Sequence, residues 1–473
     1  MKGESMKTQI LVIGAGPGGY TAAFRAADLG LKVMLVDAQK DPGGVCLFRG
    51  CIPTKALLHA AKLITQCKES ADIGITCNDI RIEPSKINAF KDGVVNKLAG
   101  GLSQLAKARH IDFIQGRAQF LDSHTVSITG MDGQETTASF DHAVLAPGSA
   151  PVQLPFAPWS RQIMPSGPAL NVDSVPQSLL IIGGGYIGLE FATFYSALGT
   201  QVTIAEMMPD ILPGADRDVV AVLKKRLSTR LAAIHTRTKV SSIERKQDSC
   251  AVTFEDQESK KSNAEFEKVL VAVGRVPFTQ DLGLEKTKIK CDEAGFVKVN
   301  PQRRTTDRAI YAVGDITGQP LLAHKASHEG LVAAANIAGK EKAFDSAAIP
   351  AVVFTDPEVA WCGLTETAAK EKNIPVKICK FPWMASGRAM TLNRTDGLTK
   401  IVADPQSGRV LGMTIVGESA GEMISEGVLA IGQKATVEDI MSTIHPHPTL
   451  SETIPEAAEA FHNLSLHIYR SRT

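Results

Sequence analysis

Thr8-Gln9-Ile10-Leu11-Val12-Ile13-Gly14-Ala15-Gly16-Pro17-Gly18-Gly19 is the stretch from which the fold follows. A short apolar strand, Thr8 to Ile13, runs into G-x-G-x-x-G. An alanine-rich helix follows to Leu29, and a second strand from Leu31 to Val36 ends in Asp37. That order is the βαβ dinucleotide unit. Gly14 permits the tight turn, Gly16 lets backbone approach a pyrophosphate, and Gly19 lets helix pack on strand. The helix N-terminus faces the phosphates, and Asp37 stands where a carboxylate can hold ribose hydroxyls.

The pattern returns once. Leu179 to Ile182 is a strand, Gly183-Gly184-Gly185-Tyr186-Ile187-Gly188 the turn, and a helix runs to Leu198. Gln201 to Ala205 then ends in Glu206, and the acid stands 18 positions after the third glycine in both copies. One such motif is a weak signal; two, each with strand, helix and acid in place, are a strong one. A carboxylate at Glu206 accepts from a free 2′-OH and repels a 2′-phosphate. Met207-Met208-Pro209 offers no arginine to bind one, so NAD is favoured over NADP.

Just after the first unit comes Gly43-Gly44-Val45-Cys46-Leu47-Phe48-Arg49-Gly50-Cys51-Ile52-Pro53-Thr54-Lys55. The C-x4-C spacing is too wide for a C-x-x-C redox motif, and no second Cys/His pair completes a zinc tetrad; no metal is expected. It suits a disulfide whose first half lies in a loop and whose second half opens a helix, the apolar run Lys55 to Ile64. A thiolate at a helix N-terminus is stabilised by the dipole. Two buried reduced cysteines are the bland reading of this segment alone.

The totals narrow the class. A chain of 473 residues holds roughly three domains. A net charge of +1 gives no field to steer nucleic acid or an anionic membrane. No apolar run approaches the roughly 18–20 residues that span a bilayer. Met1 to Lys7 is short and charged, unlike a secretory signal or an Arg-rich transit peptide, and Met6 is an alternative start. Eight cysteines are too sparse for a disulfide scaffold. Cys67, Cys77, Cys250, Cys291, Cys362 and Cys379 show no mutual spacing and read as packing or surface thiols in a reducing, cytoplasmic compartment.

Val144 to Ser149 and Val269 to Arg275 are apolar strands stopped by glycine, each expected to return the chain between domains. Tyr311-Ala312-Val313-Gly314-Asp315 is a third, placing Asp315 at the carboxyl end of a parallel sheet, where ligands bind. From about Pro350 the texture changes: Val352-Val353-Phe354, Thr399 to Ala403 and Arg409 to Val416 read as strands among amphipathic helices, with no fingerprint.

With two nucleotide motifs and a cysteine pair after the first, the chain resembles the pyridine nucleotide–disulfide oxidoreductases from Gln9 to about Phe461. Within that family it looks like the dihydrolipoyl-oxidising branch, which serves 2-oxoacid dehydrogenase complexes and the glycine cleavage system. The residues carrying this are Gly43 to Cys46, Gly50 to Leu58, Gly183 to Glu190, Val273-Gly274-Arg275-Val276-Pro277 and Gly314-Asp315-Ile316. Leu322 to Lys325, Phe354 to Ala360 and His445-Pro446-His447-Pro448-Thr449-Leu450-Ser451-Glu452 complete the set.

The resemblance implies two Rossmann-like doubly wound α/β domains and a C-terminal α+β dimerisation domain. The expected boundaries are 1–150 and 280–349 for a discontinuous FAD domain, 151–279 for the NAD domain and 350–473 for the interface domain. It implies one non-covalent FAD per subunit at Gly14, Gly16, Gly19, Asp37, Lys55, Asp315 and Ala323. NAD would sit at Gly183, Gly185, Gly188, Glu206 and Gly274, with Glu190 meeting Lys55 beside the flavin. A homodimer is implied, each active site completed by the partner's C-terminal domain, acting on lipoyl domains of 2-oxoacid dehydrogenase complexes or the glycine cleavage H protein.

Oxidising a dithiol with NAD calls for a disulfide and a flavin in series, because sulfur loses electrons by exchange while NAD accepts hydride. Cys46 is the sulfur expected to be attacked, and Cys51 the one against the flavin. The substrate thiol needs a base with a pKa near 7, for which His324, His445 and His447 are candidates. His447 with Glu452 five residues on is the expected base pair, the carboxylate orienting the ring; His445 reads as packing. Asp37 is one methylene shorter than the family's usual glutamate. Phe48-Arg49 replaces Asn-Val, and Arg49 either lowers a cysteine pKa or points to solvent. Pro147 and Met164 to Pro168 also depart from the family pattern and carry no assigned role. A glutathione-type reductase is disfavoured by Glu206, a mercuric reductase by the lack of a cysteine pair in Tyr469 to Thr473, and a non-catalytic scaffold by the intact Cys46, Cys51, His447 and Glu452.

Overall fold

The computed structural model describes residues 6–345 and 347–468; Met1 to Ser5 and the Tyr469 to Thr473 segment lie outside them. Met6–Ile13 is the centre of the first sheet. It pairs in parallel with Val33–Asp37 on one side and Glu135–Leu145 on the other. Asp112–Asp122 extends the sheet beyond Val33–Asp37, and Ile310–Ala312 closes the other edge in parallel with Glu135–Leu145. That last strand arrives only after the second nucleotide unit has been built, so the first unit is made of two separate stretches. Its strands are near-continuous apolar runs because both faces are covered. Helices α1 (Pro17–Asp28) and Ala323–Ile337 pack over Ile10, Val12 and Leu35 on one side. The antiparallel strand Thr125–Gly130 and its neighbours cover the other with Phe120, Val126 and Phe140.

The glycines act as their spacing requires. Gly14 has φ +96°, a left-handed turn that favours glycine. A Cβ at Gly19 would lie 1.7 Å from the Gly14 carbonyl oxygen, so only glycine lets α1 sit on the strand. The second copy repeats both features, with φ +107° at Gly183 and a Cβ at Gly188 falling 2.2 Å from the Gly183 oxygen.

The cysteine segment folds differently from expectation in one respect. Cys46 lies not in a loop but in a short helix, α2 (Gly44–Arg49), while Cys51 opens the next helix, α3 (Cys51–Glu69), as expected. Glycines at both ends, Gly43-Gly44 and Gly50, hide so short a helix from any periodicity. Leu57, Leu58, Ala61 and Ile64 form the buried face of α3, spaced as one helix face requires. They pack between α4 (Pro84–Ala108) and α5 (Tyr186–Ala197), the helix of the second fingerprint.

The second parallel sheet runs Ala233–His235, Gln201–Ala205, Ser178–Ile182, Lys268–Val271, Ile163–Met164. The chain enters and leaves it through one antiparallel ladder, Ser149–Pro151 against Arg275–Pro277. The C-terminal sheet is antiparallel throughout: Ala351–Val353, Glu358–Gly363, Val410–Gly417, Leu398–Ala403, Lys377–Pro382. Fully buried Lys400 on this sheet reaches Asp216 (3.1 Å), Asp218 (2.5 Å) and Glu366 (3.0 Å), tying the second unit to the third. Those carboxylates cluster as metal ligands do, and the ammonium supplies the cation. Among the described residues no helix is long and apolar enough to cross a membrane.

Candidate functional site

The first fingerprint, the cysteine segment and the start of α5 converge on one cleft of about 850 Å³, whereas Gly183, Gly185, Gly188, Glu206 and Gly274 do not border it. Gly14, Gly16 and Asp37 border it from the first unit, with Cys46, Cys51 and Lys55 from α2 and α3. Glu190 comes from α5, and Asp315 and Ala323 from the strand end and helix start that complete the first sheet. Gly44 is forced against the nucleotide turn, since a Cβ on it would fall 2.5 Å from Gly16 Cα. The cysteines are therefore laid directly over the place where a dinucleotide's phosphates would go.

The residues present fit the implied flavin nucleotide. Gly16 and Gly185, the N-caps of α1 and α5, offer no side-chain cap, so each first turn presents bare N–H groups to an anion. A Cβ at Gly16 would meet nothing nearer than 3.9 Å, and one at Gly185 nothing within 4 Å, which leaves room for phosphate. The two acids share a second duty that the sequence does not disclose. Asp37 accepts from the N–H groups of Ala15 (2.6 Å) and Gln39 (2.7 Å). Glu206 accepts in the same way from Gly184 and Met208, both at 2.7 Å. Each carboxylate closes its own nucleotide turn, and the one-methylene difference does not alter that pattern. Gly274, with φ +126°, follows the strand that neighbours the second fingerprint.

Cys46 and Cys51 are present as thiols, hydrogen-bonded side chain to side chain. The bond from the Cys46 thiol, then the Lys55 ammonium, bring Cys51 down to about 7 against the opposing effect of burial. The same bond and burial push Cys46 up. The pair is thus polarised, with Cys51 the sulfur that holds negative charge. Lys55, one turn along α3, bonds both Glu190 oxygens (2.9 and 3.0 Å), and its ammonium lies 4.5 Å from the centre of the Phe354 ring. Glu190, buried, also accepts from Phe354 N–H at 3.1 Å. Arg49 is exposed, its stem against Gly167, and it is not among the groups that lower Cys51.

His447 Nδ1 lies 2.8 Å from Glu452 Oε1, and Glu452 Oε2 accepts from Thr449 N–H at 2.7 Å. Burial opposes ionisation of Glu452, but the Thr449 N–H and then His447 hold its carboxyl below the usual range. The pair is well formed and outward-facing: the His447 side chain is 81% exposed, and neither residue borders the cleft of its own chain. His445, by contrast, is tucked in between Glu426 (3.0 Å) and the Thr443 carbonyl (2.9 Å). His324 bonds the Pro350 carbonyl at 2.7 Å.

The sequence alone assigns no role to Tyr186 or Ser149. Tyr186 borders the cleft at the start of α5. Ser149 donates to Asp315 (2.5 Å) and accepts from Arg275 Nε–H (2.7 Å), so the crossover ladder locks the acid that closes the first sheet. The signal for Tyr186 was an aromatic inside a glycine turn; Ser149 had none.

A family model described as pyridine nucleotide-disulphide oxidoreductase matches residues 8–330, and its dimerisation domain matches residues 349–458. The chain belongs to the pyridine nucleotide-disulphide oxidoreductase family. Within it, the dihydrolipoyl dehydrogenase of Haemophilus influenzae is 46% identical over 459 residues, covering 97% of this chain and 96% of the relative. That of Thermus scotoductus is 46% identical over 466 residues, covering 98% and 99%. Among solved structures, LpdA from Mycobacterium tuberculosis superposes with TM-score 0.89 at 27% identity, covering 96% of this chain and 99% of that one. The Escherichia coli flavoprotein disulfide reductase RclA, in its Cu(II) complex, gives 0.85 at 27% identity, with the same coverage. The chain is an FAD- and NAD-using disulfide oxidoreductase of two nucleotide domains and a dimerisation domain, and it acts as a homodimer.

Proposed function

We propose that this chain oxidises protein-bound dihydrolipoyl groups to lipoyl groups, with NAD as the final acceptor, through Cys46, Cys51, His447 and Glu452. The observation that carries this reading is the polarised Cys46–Cys51 pair lying over the nucleotide turn. The pair's working oxidised form is a disulfide. His447 Nε2 takes the proton from a substrate thiol while Glu452 holds Nδ1–H and stabilises the imidazolium. The thiolate attacks Cys46 Sγ, and Cys51 leaves as the thiolate that Lys55 and the start of α3 favour. The second substrate thiol then attacks the mixed disulfide, forming the lipoyl ring and releasing Cys46. The flavin, when bound, supplies the two-electron acceptor that links sulfur chemistry to the nicotinamide. Glu190 fixes Lys55, and Glu206 selects the dinucleotide without a 2′-phosphate.

Because His447 faces away from its own cleft, the base serves the partner subunit's cysteines. Residues 1–150 and 280–349 form the flavin domain in this reading, 151–279 the NAD domain and 350–473 the interface domain. Lipoyl domains of 2-oxoacid dehydrogenase complexes, or a glycine cleavage H protein, are the macromolecular substrates, in a reducing cytoplasmic setting. The test compares NADH formation from a dihydrolipoylated domain with that from reduced glutathione. Rapid NADH formation from the first alone supports the assignment; turnover of glutathione, or of NADP in preference to NAD, overturns it.

A further inference from the structure

Helix α3 opens at Cys51 and ends beside a second pair of thiols. Cys67 lies in its final turns, half-buried, and Cys77 lies in the exposed stretch beyond. The chain doubles back between them. Ser70–Ile73 tightens into a 3-10 turn, Gly74 takes φ +84°, and Ile75 N–H bonds the Ser70 carbonyl at 3.0 Å. The Ser70 hydroxyl gathers both arms, 2.9 Å from the Cys67 carbonyl, 2.8 Å from that of Ile75 and 3.7 Å from Cys77 Sγ. The Ser70 hydroxyl thus holds Cys77 Sγ beside the last turn of α3, the turn that carries Cys67, and the Cys77 side chain pushes the Cys67 thiol up. Sequence spacing does not reveal the pair, because it depends on this turn. At about 1.5 Å per helical residue, Cys67 stands about 24 Å along the axis from Cys51, remote from the cleft.

We propose that Cys67 and Cys77 form a second redox pair, a dithiol that closes to an intrachain disulfide when it meets a soluble low-molecular-weight disulfide. Exposed Cys77 reacts first: its thiolate attacks one sulfur of the soluble disulfide, forms a mixed disulfide and expels one thiolate, which takes up the proton that Cys77 lost. The Cys67 thiolate then attacks Cys77 Sγ, closing the protein disulfide and expelling the second small thiol, protonated from Cys67. Two protein thiols are oxidised and one soluble disulfide is reduced to two thiols. The closed bond fastens residues 74–77 to the far end of the helix that begins with the catalytic cysteine.

The experiment uses the holoenzyme treated with oxidised glutathione, followed by alkylation of the remaining thiols, digestion and mass mapping. The expected product in the wild type is a peptide cross-linked between Cys67 and Cys77. Cys67→Ser removes the resolving thiol, so glutathione stays trapped on Cys77; Cys77→Ser abolishes the cross-link. Both variants keep wild-type turnover, because neither residue borders the cleft. Alkylation of both residues in the treated wild type, a stable glutathione adduct on wild-type Cys77, or a Cys77 bridge between two subunits would each overturn the proposal.

Discussion

Cys51 faces opposing demands. Burial disfavours its thiolate, while the Cys46 thiol and the Lys55 ammonium favour it, and the second influence wins, leaving the sulfur near 7. In the dithiol enzyme the thiolate therefore appears as pH rises through about 7, and ultraviolet titration of thiolate absorbance checks this. Lys55→Met removes the charge and raises the midpoint by about 1–2 pH units. Arg49→Ala leaves it unchanged, since the guanidinium is exposed and its stem lies against Gly167. At the base, His447→Gln lowers kcat for dihydrolipoyl oxidation by about 10²–10⁴-fold, the usual contribution of a general base. Glu452→Gln retains a ring partner but loses the charge that stabilises imidazolium, so it costs less than His447→Gln. Steady-state kinetics of the three enzymes measure both losses.

Elements set how much of this was readable. The βαβ units declare themselves because local spacing carries their physics: a left-handed turn at Gly14, an interpenetrating contact at Gly19, and an acid at the end of the next strand. Strand Glu358–Gly363 carries no comparable signal, since it opens on a charged residue after Pro357 and exists by pairing with distant Val410–Gly417. Helix α2 was hidden by its glycine flanks, and the Ser149–Asp315–Arg275 chain by the 166 positions between Ser149 and Asp315 in sequence number. The candidate chemistry was legible; its electrostatic supports, made by long-range contacts, were not. The Lys400 clamp is another such support. Lys400→Met leaves buried Asp216 without an ammonium, while Lys380 still reaches Asp218 and Lys370 still reaches Glu366; removing one partner of a buried pair costs about 3–5 kcal/mol, measurable by denaturant unfolding of the holoenzyme. Hydrogen bonds from Lys370 and then Lys400 bring Glu366 down to about 2. A depressed carboxyl contributes stability above its ordinary pKa and loses it as pH falls through the folded value. The Glu366 contribution is thus intact at pH 6 and fades between roughly pH 5 and 2.

At the scale of the molecule, the cleft and the base lie on different faces of one chain. Cys46 and Cys51 line the interior, while His447 is 81% exposed on the dimerisation domain. Ile444, beside it, is 96% exposed, an apolar side chain that a second subunit would cover. A shared site makes a sharp prediction for subunit mixing. A heterodimer of one Cys51→Ser subunit and one His447→Gln subunit holds one doubly damaged site and one intact site. Random reassembly of the two inactive homodimers should recover about a quarter of wild-type activity for a C2 dimer. A site confined to one chain would recover none.

The proposed passage of electrons from a dihydrolipoyl dithiol through Cys46 and Cys51 to NAD is tested most directly by an anaerobic titration of the holoenzyme with dihydrolipoamide. The expected result is a long-wavelength absorbance that grows until one equivalent per subunit has been added and is absent in Cys51→Ser, with NADH formed by the reduced wild-type enzyme when NAD is added. No long-wavelength absorbance and no NADH, or an unchanged response in Cys51→Ser, would contradict it.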